Sequence, residues 1–86
     1  MANLENNSID ARTFVQICAS LTKREWIELQ GDLMTSLKRS AQCIYNWKKG
    51  VRVPSSNSER VKVATHINKK FNTNTRHWTL FPDNEI

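Results

Sequence analysis

The run Ser40-Ala41-Gln42-Cys43-Ile44-Tyr45-Asn46-Trp47-Lys48-Lys49-Gly50 decides how the chain folds. The Ser40 hydroxyl suits the unpaired backbone N–H groups of a helix start, so a helix is expected from Ala41. Gly50 suits the left-handed backbone that closes a helix, and Lys48 and Lys49 in the last turn match the negative end of its dipole. Ile44 and Trp47, three residues apart, share the inward side with Cys43. Ala41, Gln42, Tyr45, Asn46 and Lys49 are left on the outer face.

Working outward from this helix, Thr22-Lys23-Arg24-Glu25 fits a capping box and predicts a helix from Lys23 to about Leu37. Its apolar stripe is Trp26, Leu29 or Gln30, Leu33, Met34 and Leu37. Gly31 in mid-stripe costs about 1 kcal/mol relative to Ala, so the helix either tolerates it or breaks there. Further upstream, Ser8 is the expected cap of a first helix over about 9–20, with Phe14, Ile17, Cys18 and Leu21 facing inward and Asp10 near its positive end. Downstream, Pro54 keeps Val53 extended, and Ser56, Asn57 or Ser58 opens a helix that runs to about Phe71 and stops at Asn72-Thr73-Asn74. The segment Arg76-His77-Trp78-Thr79-Leu80-Phe81-Pro82 alternates loosely and reads as a strand or an extended arm. Trp78, Leu80 and Phe81 then pack back on the helices or meet a partner chain.

The expected fold is therefore all-α, with four to five short helices and an extended C-terminal arm. Residues 1–7 are expected to be a flexible N-terminus, 8–72 the helical domain and 73–86 the arm. At 86 residues and 10.0 kDa the chain builds one core. Two Gly and two Pro are few for an all-β design. No apolar run approaches the roughly 18–20 residues that cross a bilayer, which excludes a membrane-spanning helix. The first residues lack the basic and apolar regions of a signal peptide, and Cys18 and Cys43 make no disulfide framework. The expected compartment is the cytoplasm, with both thiols reduced.

The net charge of +5 is unevenly spread. Residues 1–37 balance to −2 and residues 77–86 to −2, whereas 38–76 carry ten basic side chains against the single acid Glu59, a local +9. No acid occurs between Asp32 and Glu59. A surface of this kind favours an anionic partner. On the outer face of the 41–49 helix, Gln42 and Asn46 carry paired donors and acceptors that match the major-groove edge of adenine, and Lys49 reaches guanine or phosphate. Tyr45 offers a hydroxyl to phosphate or stacks on a sugar or a thymine methyl. On the fourth helix Arg60, Lys62, Lys69 and Lys70 read as a solvated face.

Leu33 and Leu37 on one helix, a short break, then Ile44 and Trp47 on the next give the anchor pattern of a helix-turn-helix. Together with Ser40, Gly50, Pro54 and Ser55, this pattern resembles the recognition-helix signature of Cro/C1-type, phage-repressor-like DNA-binding proteins. The resemblance covers roughly residues 30–71. It implies a lambda-repressor-like helix-turn-helix bundle that reads double-stranded DNA with Ala41, Gln42, Tyr45, Asn46 and Lys49 at the bases. Lys38, Arg39, Ser40, Lys48 and Arg52 would hold the phosphate backbone. Met34 and Lys38 stand where the family usually has a small residue and a turn glycine. Paired half-sites imply a homodimer, for which Trp78, Leu80 and Phe81 are the expected contacts.

Enzymatic readings have little support in the sequence. His66, His77, Cys18 and Cys43 make no metal-ligand spacing, and two glycines cannot form a phosphate loop. A Cys43 and His66 pair is the one nucleophile and base combination left open. No cofactor, metal or small-molecule substrate is expected. The alternative is a protein-interaction module, antitoxin-like or an adaptor, that uses the 76–82 arm. In either reading the chain regulates or recruits, with transcriptional regulation the expected use.

Overall fold

The computed structural model describes residues 10–82, of which about two-thirds are helical, with no strand among them. The helices are α1 (Phe14–Ala19), α2 (Lys23–Leu37), α3 (Ala41–Lys49), α4 (Asn57–Phe71) and α5 (His77–Leu80). The all-α expectation holds. No helix among the described residues is long and apolar enough to cross a membrane.

Capping chemistry sets most boundaries. In α2 the Thr22 hydroxyl accepts from the Glu25 N–H at 3.1 Å, and the Glu25 carboxylate accepts from the Thr22 N–H at 2.8 Å. The helix runs unbroken through Gly31 and ends at Lys38, whose φ of 57° is the left-handed conformation that glycine favours. A non-glycine side chain at such a φ costs roughly 1–2 kcal/mol, which the surrounding fold offsets. Ser40 accepts from the Cys43 N–H at 3.1 Å to open α3, and Gly50, at φ 80°, closes it. Ser56 opens α4 and left-handed Asn72 ends it.

The first helix is shorter than the 9–20 span expected. Its cap is Thr13, which exchanges two hydrogen bonds with Gln16 (3.2 and 2.9 Å) and so starts the helix at Phe14. Ser8, the expected cap, lies outside the described residues. Asp10 belongs to no helix. Its N–H donates to the Asn74 carbonyl at 2.9 Å in an isolated bridge with Thr75 that ties the segment before α1 to the segment after α4, and its carboxylate pairs with Arg12 at 2.9 Å. The Arg12 guanidinium holds the Asp10 carboxyl below the usual carboxylate range.

One core is built from every helix: Phe14 and Ile17, Leu29 and Leu33, Ile44 and Trp47, Val63 and Ile67, and Leu80 with Phe81. Trp26, Met34, Leu37 and Phe71 pack at its margin. The extended arm expected after residue 73 is instead a single helical turn, α5, folded onto the domain. Leu80 and Phe81 are 1% and 3% exposed, and the Phe81 ring lies 5.2 Å from Phe14 and 6.2 Å from Trp47. Two of the three expected dimer contacts are thus core residues. Burying a hydrophobic side chain at home gains more than leaving it in water to await a partner. Trp78 alone stays on the surface, 61% exposed, with Arg76 and His77 beside its ring.

Candidate nucleic-acid interface

The polar face of α3 is held outward because Ile44 and Trp47 anchor its other side in the core. Ala41, Gln42, Tyr45 and Lys49 are exposed and Asn46 is half-buried. All five lie on one surface, as the three-and-four spacing requires. Gln42 donates from Nε2 to Asn46 Oδ1 at 3.1 Å. That bond uses the Gln42 amide nitrogen and the Asn46 carbonyl oxygen, so the Gln42 carbonyl oxygen and the Asn46 amide nitrogen remain as an acceptor and a donor on this face. That is the complement of an adenine major-groove edge.

Cations frame this face. The Lys48 ammonium sits over the Trp26 ring at 5.1 Å and over Tyr45 at 5.7 Å, and the Lys49 ammonium lies over the Tyr45 ring at 5.6 Å. Two ammonium groups therefore lie within reach of the Tyr45 ring, whose electrons favour both. Arg52 arrives from the loop after α3, which turns back because the Asn46 carbonyl accepts from the Val51 and Arg52 N–H groups at 3.0 and 3.3 Å. At the opposite end of the helix lie exposed Lys38, Arg39 and Ser40. The Ser40 hydroxyl is committed to its capping bond, so its side chain serves the helix first.

Several contacts at this surface join residues far apart in sequence. Glu59 on α4 accepts from Arg39 Nε at 2.6 Å, which raises the arginine's pKa and makes Arg39 a paired cation. The pair edges a cavity of about 190 Å³ that Arg52 and Cys43 also line. Gln30 on α2 donates from Nε2 to the Ala41 carbonyl at 3.2 Å and fastens the start of α3 to α2. Arg60, expected on a solvated face, is half-buried and donates to the Pro54 carbonyl at 3.0 Å, fixing the loop that carries Arg52. Glu59 is conspicuous in the sequence as the lone acid of the +9 segment, a signal that it has a specific cationic partner. Nothing local marks the roles of Gln30 and Arg60.

Cys18 is buried, and desolvation pushes its thiol up to about 12 against the opposing pull of Lys48. His66 pairs with Ser36 at 2.6 Å, while Cys43 faces the Arg39 and Glu59 cavity. Among the described residues no group of three His, Cys, Asp or Glu is placed to hold a metal ion. Fold and surface together define a small all-α domain that presents one polar helix face ringed by cations. The chain matches no protein-family model, no curated protein and no solved structure.

Proposed function

We propose that this protein binds double-stranded DNA with α3 in the major groove and regulates transcription from the site it reads. The observation that carries this reading is the outer face of α3: Gln42 and Asn46 joined as a donor and acceptor pair, flanked by Tyr45, Lys48, Lys49 and Arg52. Gln42, Tyr45, Asn46 and Lys49 meet base edges, Ala41 allows close approach, and Lys38, Lys48 and Arg52 neutralise phosphates. Arg39 joins them when it leaves Glu59. A second copy on an adjacent half-site would be met through Trp78, since Leu80 and Phe81 are spent in the core.

Selection of bound sequences from random duplexes, followed by a salt series on the selected site, tests the reading. The log of the binding constant should fall linearly with log salt, with a slope of about −0.9 per phosphate neutralised. Gln42→Ala or Asn46→Ala should lower discrimination between selected and random DNA by about 1–3 kcal/mol. Because the two amides act jointly, the double variant should lose less than the sum of the single losses. Arg52→Gln should weaken both DNAs alike. A salt-independent constant, or no enriched sequence, overturns the proposal. The adaptor alternative loses most of its docking face with the burial of Leu80 and Phe81.

A further inference from the structure

Helices α2 and α4 are joined by a ladder of polar contacts at four-residue steps. Glu28 and Asp32 on α2 meet Lys70 on α4 at 3.1 and 3.9 Å. One turn along both helices, Ser36 Oγ lies 2.6 Å from His66 Nε2. A further turn along α4 brings Lys62 to the open end of the seam, where α2 has already ended at Lys38. Lys62 thus stands where the ladder has no acid to offer, and among the described residues it has no hydrogen-bond or ion-pair partner. Here the surface opens into a cleft of about 280 Å³ lined by Ser36, Lys62, Thr65 and His66, with no carboxylate among these residues.

We propose that this cleft is an oxyanion site that takes a phosphate group, held by the Lys62 ammonium and by the hydroxyl of Ser36. With the imidazole Nε2–H donating to Ser36 Oγ, the serine O–H is free to turn into the cleft toward the anion. Each such bond to a charged oxygen is charge-assisted and stronger than its neutral counterpart. Thr65 donates to the Val61 carbonyl at 2.9 Å and shapes the wall. A hydrolytic role for Ser36 and His66 is disfavoured, because no carboxylate among the described residues pairs with the ring to orient it as a base. The site is distinct from the α3 face and does not depend on the DNA reading: a chain that failed to bind duplex would still bind phosphate here.

The experiment is a titration of the full chain with inorganic phosphate at constant ionic strength, set by chloride, following the ring signals of both histidines by NMR. His66→Gln assigns them, and His77 serves as the internal control. The His66 signals should shift and saturate while those of His77 stay in place. Lys62→Gln should weaken the apparent affinity about tenfold, and Ser36→Ala should weaken it by a smaller factor. Repeating the titration with bound duplex separates the source of the phosphate. Competition marks a DNA backbone contact, and undiminished phosphate binding marks a site for a free phosphoryl ligand. A His66 response no different from that in chloride alone, or an affinity unchanged in Lys62→Gln, overturns the site.

Discussion

Glu59 gives one carboxylate oxygen to Arg39 and leaves the other buried with no hydrogen-bond partner. An acid so placed at the edge of a cationic surface restrains the surface. Glu59→Gln should release Arg39 and remove a repulsive charge, tightening DNA binding at low salt and steepening the salt slope by about 0.9, the equivalent of one more phosphate. Weaker binding with an unchanged slope would make the pair a positioning device. Cys18 offers a second check. Its thiol titrates near 9.0 when unfolded but only at about 12 when buried, so above pH 9 the unfolded chain ionises first. Stability should be intact below pH 9 and fall by up to about 1.4 kcal/mol per pH unit above it, a decline that Cys18→Ala should lessen in denaturant melts.

Among the helices, the two described glycines have opposite expectations. A Cβ at Gly31 meets nothing within 4 Å, so Gly31→Ala should stabilise α2 by about 1 kcal/mol in chemical denaturation. At Gly50 the φ of 80° is unsuited to a side chain, and a Cβ would lie 3.2 Å from Val15 Cγ2. Gly50→Ala should destabilise by roughly 1–2 kcal/mol and move Arg52. The bounds of α2, α3 and α4 were legible because local chemistry writes them: Thr22 with Glu25, Ser40 with Gly50, Ser56 with Asn72. The start of α1 was equally local, in Thr13 and Gln16, but Ser8 offers the same capping chemistry five residues earlier in the sequence. In the site, the outer face of α3 followed from spacing alone. The Arg39–Glu59 and Ser36–His66 pairs did not, since 20 and 30 residues separate their members and only the packing of α4 brings them together.

For the molecule as a whole, α5 turns an apparent appendage into part of the core. Four residues are too few to hold a helix by backbone bonds alone, so this turn exists because Leu80 and Phe81 fill the space beside Phe14 and Trp47. Phe81→Ala should cost roughly 3–5 kcal/mol, a large share of the stability of so small a domain, and calorimetry should show the fall in melting temperature. Removing residues 77–86 should unfold the chain rather than yield a folded monomer; a cooperative melt from the shortened chain would refute this. The hydrogen bond from Asp10 to Asn74 brings together positions sixty-four residues apart, and Thr13 and Pro82 line one cleft. The segment before α1 and the residues just after α5 therefore border the same cleft. A permuted chain in which a short linker replaces the residues outside 10–82, and which opens at the exposed Ser55 loop, should therefore fold with each helix keeping its neighbours.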